Sequence, residues 1–454
     1  MKMKWNRKSA AALLAAASLV SPAFAHDDAP KGIPHFDHIF VIMMENHGFQ
    51  QIFRNPNEPY LNKLIKEGKV NLAMNYFAVG HPSLTNYLEI VGGSNFGVRS
   101  DNAPDWGNAN CTPNLQSGLI NADATLPPPP GVNIETSHVC PIAGSGKDAA
   151  TPAVDTWNEV NPPVFNFLAD INGTKFVSAA PTVGRTIGDQ LVDAGLSWKT
   201  YQESLPLGSP FGVNFSNGTA SNLTDFTDLA PITMSNVVQA YAVKHNPFAY
   251  FKNVQEGNSR DNSLRNVVGF DGARGLFADL ASGDVPTFSF IVPNQCDDQH
   301  GRSPKATGED ADMFCAFDPG VDAANGNTIG TQVGLNPGLI QQGDVTIQRV
   351  VEAIKASRVW DEGRSAIIIV WDENDYSGTA NDTQGVFLPQ NQNTVVLTVE
   401  LSKGSHGVQS GNFYTSFSLL KSIEAGLGLP CLNHACDPGV NAMSDLFGYG
   451  DHDN

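Results

Sequence analysis

One serine in the sequence lies where a hydroxyl group could act as a nucleophile. Ser83 belongs to the stretch 80–93, GHPSLTNYLEIVGG, and comes just before apolar residues that recur at helical spacing between Leu84 and Val91. Pro82 favours an extended chain that then turns into this helix. The N–H groups and the helix dipole at such a start favour an anion, so a phosphoryl group could dock beside the hydroxyl. Because serine is also a preferred N-cap, a purely structural role is the alternative.

Possible metal ligands follow four apolar runs, at the point where each run ends. Glu45 and Asn46 follow 39–44, Asp298 and His300 follow 285–293, Asp372 and Glu373 follow 366–371, and His406 follows 395–399. Continuous apolar runs are typical of strands buried on both faces of a mostly parallel sheet. Ligands bind at the carboxyl ends of such strands, so we expect these side chains to gather at one edge of the sheet beside Ser83.

A cluster this rich in carboxylates predicts bound cations. Without them the carboxylates would repel one another and their pKa values would rise. Oxygen ligation by Glu45, Asn46, Asp372 and Glu373 suits Mg²⁺, Mn²⁺ or Ca²⁺, whereas Asp298, His300 and His406 also tolerate Zn²⁺, and all four metals stay open. One divalent ion would lower the pKa of the Ser83 hydroxyl and a second would stabilise the leaving oxygen, as phosphoester cleavage requires.

The elements that must position these residues alternate between strands and helices. Besides the four runs, the sequence predicts short strands at 73–77 and 197–201. It predicts helices at 57–66, 186–194, 343–357 with Asp344 as N-cap, and 417–426. This order indicates an α/β fold with a mostly parallel central sheet flanked by helices.

The amino terminus has the pattern of a secretory signal peptide. Residues 1–25 combine a basic start, a short apolar run and the small-residue ending Ala23-Phe24-Ala25. We expect an exported protein, periplasmic or secreted, without stable membrane anchoring; an uncleaved anchor is the alternative. Residues 26–454 are predicted to form a single domain with a loop-rich insertion around 94–164, although two domains would also fit the length.

Charge and cysteine content narrow the class of protein further. The formal charge is −19, and removal of the four basic residues of the leader leaves the mature chain near −23. A nucleic-acid partner is therefore not expected. The six cysteines predict three disulfides, which sequence neighbours suggest are Cys111 to Cys140, Cys296 to Cys315 and Cys431 to Cys436. A structural zinc site is less favoured because no pair has CxxC spacing.

At these residues the chain resembles the phosphoesterase family of acid phosphatases and phosphocholine-releasing phospholipases C, within the alkaline phosphatase superfamily. The similar blocks are MMENHGF at 43–49, HPSLTNYL at 81–88, KHNPF at 244–248, PNQCDDQHG at 293–301 and WDENDYSG at 371–378. The resemblance covers nearly the whole mature chain. It implies an alkaline-phosphatase-like three-layer sandwich with long loop insertions.

The same resemblance assigns roles to individual residues. It implies that Ser83 is the nucleophile, that Asn86 donates to a phosphate oxygen, and that Glu45, Asn46, Asp298, His300, Asp372 and Glu373 bind metal. Two positions depart from the family pattern. Thr85 replaces a proline in the turn, and Ser416 stands where the family typically has a histidine. Either His406 substitutes as the ligand or the second metal is held more weakly.

Together these observations predict a metal-dependent acid phosphatase that acts on small phosphate monoesters through a phosphoserine intermediate at Ser83. Lys244 and His245 are candidate supplementary phosphate contacts, although a histidine beside aromatic residues is more often part of the core. His81 is a candidate general acid. The alternatives are a phospholipase C-type phosphodiesterase and a non-catalytic secreted binding protein.

Overall fold

The structure is a computed structural model. It describes residues 30–79, 83–96, 98, 101–104, 106, 139, 141–147, 181–206, 212–214, 216, 240–257, 259–301, 314–318, 332, 334–374 and 394–448. Several predictions fall outside these ranges: the leader 1–25, His81, the pairing of Cys111 with Cys140, and most of the insertion 94–164. The pairings of Cys296 with Cys315 and of Cys431 with Cys436 are both confirmed.

The described strands are β1 (His38–Met44), β2 (Asn71–Ala73), β3 (Tyr76–Phe77), β4 (Ser145–Lys147), β5 (Pro181–Val183), β6 (Trp198–Gln202), β7 (Val267–Val268), β8 (Phe288–Val292), β9 (Ser365–Trp371), β10 (Leu397–Leu401), β11 (Gln409–Ser410) and β12 (Tyr414–Thr415). Eight of them form one sheet in the order β11-β2-β10-β9-β1-β8-β6-β7. All the pairings within it are parallel except those that β10 makes with β9 and β2. β10 therefore runs against the other seven strands, and the prediction of a mostly parallel sheet is confirmed.

The α-helices of the described ranges are α1 (Phe49–Ile52), α2 (Pro59–Lys66), α3 (Ser83–Gly92), α4 (Ile187–Asp193), α5 (Lys252–Glu256), α6 (Leu276–Ser282), α7 (Pro337–Ala356), α8 (Arg358–Glu362), α9 (Ser416–Leu427) and α10 (Ser444–Phe447). None of them is both long enough and apolar enough to cross a lipid bilayer.

Two layers of helices cover the central strands. Successive side chains of a strand point to opposite faces, and in β1 and β9 the apolar residues of both faces are buried. One layer contains α3, α4 and α9, which pack against one another, and the other contains α2, α6, α7 and α8. The fold is therefore an α/β sandwich of three layers, and β1 and β9, which are apolar after their first residue, lie at the centre of its sheet.

Two details of the predicted elements are wrong. The expected strand 73–77 is divided, because Asn71–Ala73 joins the central sheet whereas Tyr76–Phe77 pairs with β12. The helix predicted from 343 begins at Pro337 instead, and Asn336 is its N-cap. Asp344 lies inside that helix and accepts hydrogen bonds from the backbone N–H groups of Tyr60 and Leu61 (2.8 and 2.9 Å), so it caps α2 across the interface.

A buried carboxyl pair at this interface gives a test of the fold. Burial raises the pKa of Glu58 well above its ordinary value of 4.5, and the neighbouring Asp344 carboxylate raises it further. Because the folded protein holds this proton more tightly than the unfolded chain, the free energy of unfolding should fall as the pH rises above 4.5. In wild type, one extra proton bound in the folded state lowers the free energy of unfolding by about 1.4 kcal/mol per pH unit. Glu58→Gln, which can keep its contact with Gln299, should not show this decrease.

Urea denaturation between about pH 5 and 7 measures this difference. The exposed Glu362→Gln on α8 is the matched control and should follow the wild type at every pH. Parallel curves for wild type and Glu58→Gln would show that Glu58 ionises in the folded protein as it does in water.

Candidate active site

The carboxyl ends of three adjacent strands bring acidic side chains to one edge of the sheet. β1 lies between β8 and β9, and the three strands run parallel. Just beyond their ends, Glu45 N–H donates to the Asp298 carbonyl (2.8 Å) and Asp372 N–H donates to the Met44 carbonyl (2.9 Å). The structure thus brings Glu45, Asp298 and Asp372 close together, as the sequence analysis expected, and each is at most 1% exposed.

Ser83 lies in the first turn of α3, and its hydroxyl faces these carboxylates. Ser83 Oγ is 3.1 Å from Glu45 Oε2 and 2.9 Å from Glu373 Oε1. A hydroxyl carries one proton, so it can donate to only one of the two carboxylates at a time. Lys244 Nζ donates to the same oxygen at 3.2 Å. These contacts are not those of an N-cap, whose oxygen accepts from the helix backbone.

Two overlapping groups of side chains could each hold a metal ion. One consists of Glu45, Asp372 and Glu373, and the other of Glu45, His245 and His300, with ligand atoms within 4.8 Å of one another in each group. Glu45 belongs to both groups. Carboxylate oxygens suit a hard divalent ion, and the imidazoles make the second group compatible with zinc as well.

Unsatisfied oxygens show that the residues fit such an ion. Asp372 Oδ2 is buried and accepts no hydrogen bond in the described part of the chain. Glu45 Oε1 and Asp298 Oδ2 are also buried and accept no well-aligned hydrogen bond there, although the ring nitrogens of His245 lie 3.0 and 3.3 Å from them. A buried carboxylate oxygen without a partner is costly, and a cation is the partner that the chemistry of this donor set favours. Asn46 adds a further buried amide oxygen of the same kind, and its backbone adopts a left-handed conformation (φ 59°) where β1 ends.

The charges of the cluster reinforce this interpretation. Burial raises the pKa of Glu45 to about 8, and the Glu373 carboxylate adds to this rise while Lys244 opposes it. Burial also raises the pKa values of Asp298 and Asp372, to which the charge of Glu45 contributes. Burial alone would lower the pKa of Lys244, but nearby carboxylates, Asp101 first, raise it instead. Lys244 is therefore a permanent cation within an excess of negative charge.

His245 lies among the candidate ligands. Its Nε2 is 3.0 Å from Glu45 Oε1 and its Nδ1 is 3.3 Å from Asp298 Oδ2, and its ring stacks on Tyr87 with 5.2 Å between centroids. The sequence analysis named Lys244 and His245 as candidate phosphate contacts and left a core role for His245 open. Because both ring nitrogens of His245 face carboxylates, this residue lies with the candidate metal ligands, and Lys244 remains the candidate phosphate contact. The sequence did not predict this position, because aromatic residues follow His245 and a histidine beside aromatic residues is usually part of the core.

A buried network fixes the loop that carries Asp298 and His300. Gln299 lies between them with a left-handed backbone (φ 78°). Its side chain accepts from Trp371 Nε1 (2.9 Å) and donates to the Ile340 carbonyl (2.9 Å) and to Glu58. The Gln299 side chain fits because residue 343 is glycine: a Cβ there would lie 2.3 Å from it. The network therefore sets the direction of both neighbouring side chains.

Two further polar side chains approach Ser83 on the side of α3. Asn86 Nδ2 donates to Glu373 Oε2 at 3.3 Å while its Oδ1 accepts from the Val79 N–H at 3.2 Å, which orients the amide nitrogen toward the cluster. Asp101 bridges the Leu84 N–H (3.1 Å) and Lys244 Nζ (2.8 Å) through its two oxygens. The sequence analysis missed Asp101, because it follows Ser83 in a region without any periodic pattern.

The structure does not bring His406 to this site, which corrects the sequence prediction. That prediction assumed that the fourth apolar strand is parallel to the others, but β10 is antiparallel and its last residue, Leu401, pairs with Ala366 near the start of β9. His406 therefore lies toward the opposite edge of the sheet, since Ala366 precedes Asp372 by six residues, or about 20 Å of strand. Its side chain is exposed, and its backbone N–H donates to Asn71. Ser416 begins α9 and accepts from Tyr76.

This placement predicts that His406→Ala leaves metal content unchanged and changes kcat/KM by no more than about twofold, as expected of an exposed residue. His300→Ala, at the cluster, should lower both. Metal analysis of the purified variants beside an aryl phosphate assay makes the comparison. Loss of bound metal in His406→Ala alone would contradict the placement.

A separate cavity of about 690 Å³ lies near the amino ends of β6 and β8, at that same opposite edge. It is lined by Trp198, Lys199, Arg260, Arg265 and Arg274 among others, and none of the predicted site residues contributes to it. The candidate active site is therefore defined by its chemistry rather than by the size of a cavity.

Comparison with known proteins identifies the family of this chain. The profile of the Phosphoesterase family matches residues 51–312, which is more than half of the chain. The acid phosphatase of Aspergillus fumigatus is 21% identical over 92% of this chain and 61% of its own length. The phosphate-repressible acid phosphatase of Penicillium chrysogenum is 23% identical over 91% and 65%. The chain thus spans less than two thirds of the length of these relatives.

Among solved structures, one similar chain is a protein of the alkaline phosphatase superfamily from Vibrio parahaemolyticus. It has 11% sequence identity and a TM-score of 0.40, with 89% of this chain and 71% of that chain covered. The matched region contains Ser83, Lys244, His245, Asp298 and His300, whereas Glu45, Asp372 and Glu373 lie outside it. On the profile match, this chain belongs to the Phosphoesterase family.

Proposed function

We propose that the protein is an exported, metal-dependent acid phosphatase that hydrolyses small phosphate monoesters through a phosphoserine at Ser83. One observation carries the proposal: Ser83 Oγ lies within 3.2 Å of two carboxylates and of the Lys244 ammonium group. A hydroxyl whose proton can pass to an adjacent carboxylate is an activated nucleophile, and an adjacent cation can hold the group that it attacks. The similarity to fungal acid phosphatases supports the same activity.

Lys244 and Asn86 bind the substrate in this proposal. Lys244 Nζ is held at Ser83 Oγ, so a phosphoryl group that approaches this oxygen meets its positive charge. The Asn86 amide nitrogen points into the same space and can donate to a second phosphoryl oxygen. Because both side chains are fixed by other contacts, little reorganisation is required as charge develops on the phosphoryl oxygens.

The reaction then proceeds in two displacements. Ser83 Oγ forms a bond to phosphorus while its proton passes to the Glu45 or Glu373 carboxylate that accepts from it. The bond to the leaving oxygen breaks, and that oxygen keeps the electron pair and takes up a proton, for which His81 is the proposed donor. Water next attacks phosphorus and loses a proton to a carboxylate. Ser83 Oγ recovers a proton as it leaves, and inorganic phosphate is released.

Glu45, Asp372 and Glu373 would hold one divalent ion, and Glu45, His245 and His300 are the candidate ligands of a second, with Asp298 and Asn46 beside them. When bound, such an ion supplies a Lewis acid that lowers the pKa of an adjacent hydroxyl group and offsets the charge of the transferred phosphoryl group. The donor set admits Mg²⁺, Mn²⁺, Ca²⁺ or Zn²⁺.

Two chromogenic substrates test the proposed activity. At about pH 5, where the monoester is mainly a monoanion, the metal-loaded enzyme should hydrolyse an aryl phosphate monoester with a higher kcat/KM than an aryl phosphocholine diester. A preference for the diester would instead favour the phospholipase C-type activity. If neither ester is turned over in the presence of any of the four metals, the chain is not a phosphatase of this kind.

A further inference from the structure

We propose that Asp101 makes this site select phosphoryl groups with a single negative charge, which are diesters and the monoanions of monoesters, over dianions. The inference rests on the proposed function, since it concerns the substrate of that same site. It follows from the position of the Asp101 carboxylate, which accepts hydrogen bonds from the Leu84 N–H and from Lys244 Nζ. These are donors that an incoming phosphoryl group would also use.

Asp101 occupies the start of the nucleophile helix. Its Oδ1 accepts from the Leu84 N–H, in the first turn of α3, at 3.1 Å. The N–H groups of a first helical turn point out of the helix, and they favour an anion there. Here the chain itself supplies that anion, because the Asp101 carboxylate binds the N–H of Leu84, the residue that follows Ser83.

Asp101 also holds the cation of the site. Its Oδ2 accepts from Lys244 Nζ at 2.8 Å, and that ammonium group is in turn 3.2 Å from Ser83 Oγ. The Lys244 side chain is 12% exposed and that of Asp101 is 19% exposed, so solvent screens this pair only in part. Lys244 is therefore already paired with one negative charge when a substrate arrives.

A phosphoryl group at Ser83 must share Lys244 with this carboxylate and lie close to it. Two like charges a few ångströms apart near a protein surface repel strongly, and the second charge of a dianion adds to this repulsion. The second pKa of a phosphate monoester is about 6, so a monoester is mainly a monoanion in acid and a dianion above neutrality. Asp101 thus disfavours monoesters as the pH rises, whereas diesters keep their single charge.

Asp101→Asn tests this role because it removes the charge and keeps the acceptor for the Leu84 N–H. At about pH 8 the ratio of kcat/KM for an aryl phosphate monoester to that for a methyl aryl phosphodiester should rise about tenfold over wild type. Asp101→Glu, which retains the charge, should keep a ratio close to that of wild type. Asp193→Asn, which removes an exposed carboxylate paired with Arg185, is the matched control.

Inhibition by inorganic phosphate gives an independent measurement. In Asp101→Asn the inhibition constant should be about tenfold lower than in wild type at pH 8 and little changed at about pH 5. If the variant loses activity equally toward monoester and diester, and binds phosphate more weakly at both pH values, Asp101 only positions Lys244 and the inference is wrong.

Failure of the proposed function would look different, because wild type itself would hydrolyse neither ester. Calorimetric titration of wild type and Asp101→Asn with inorganic phosphate at the two pH values would still measure the selection. The inference stands if the variant binds phosphate more tightly at pH 8 alone, and it fails if both proteins bind equally.

Discussion

Replacement of Ser83 by alanine is expected to lower kcat/KM for an aryl phosphate monoester by about a thousandfold or more. The variant removes the hydroxyl oxygen that lies 3.1 Å from Glu45 and 2.9 Å from Glu373, the two candidate proton acceptors. Without Oγ no phosphoserine can form, and hydrolysis would require direct attack by water. The loss should appear in kcat, because Lys244 and Asn86 still bind the phosphoryl group.

Thr85→Ala is the control for this experiment. It also removes a buried hydroxyl from the first turns of α3, but that hydroxyl donates to the Val98 carbonyl at 3.3 Å and faces away from the carboxylates. It should cost about 1 kcal/mol of stability and leave kcat within a few-fold of wild type. Isotope-labelled phosphate trapped on wild type by acid quench, and absent from Ser83→Ala, would establish the covalent step. Full activity in Ser83→Ala would refute it.

Removal of the metal is expected to abolish activity and to destabilise the folded protein. Buried carboxylates that lack a cation repel one another, and an ion that binds only the folded state at 100 times its dissociation constant contributes about 2.7 kcal/mol to stability. Chelation should therefore lower the melting temperature, and re-addition of a divalent ion should restore both the melting temperature and turnover.

Glu45→Gln separates two effects of the carboxylate, which are its binding of metal and its destabilisation of the folded protein when no metal is bound. Glu45 belongs to both candidate metal groups, so its amide variant should lose turnover and most of the metal-dependent rise in melting temperature. In chelator, however, the variant should melt above wild type, because glutamine replaces a buried carboxyl group that must either repel its neighbours or take up a proton on folding. The exposed Asp361→Asn should behave as wild type in all three measurements. A wild-type melting temperature and activity that chelators do not change would contradict metal dependence.

The sequence was most informative where a long apolar run ends in polar residues. Runs such as 39–44 and 366–371 are typical of strands buried on both faces, and their carboxyl ends must share an edge if the strands are parallel. The sequence alone therefore predicts that Glu45, Asp372 and Asp298 lie close together. Ser83 could also be identified from the sequence, because a hydroxyl residue just before an apolar helical pattern is a local signal of a helix start.

Features that depend on the direction of a strand or on distant partners could not be predicted. The composition of the run 395–399 is compatible with a parallel or an antiparallel strand. The local sequence therefore did not show that His406 lies at the edge of the sheet opposite the candidate active site. Asp101 and Gln299 act through residues far away in the chain. One miss did have a signal: Asn336 followed by Pro337 is a typical helix start, and it outweighs Asp344 within an uninterrupted helical pattern.

The most direct test is a crystal structure of the protein with a divalent metal and orthovanadate, recorded at a wavelength where the metal scatters anomalously. The account predicts an anomalous peak within about 2.0 to 2.6 Å of Glu45 and Asp372 oxygens, and vanadium bonded to Ser83 Oγ. Metal bound elsewhere, with vanadate far from Ser83, would contradict the claim that these carboxylates and this serine form one catalytic centre.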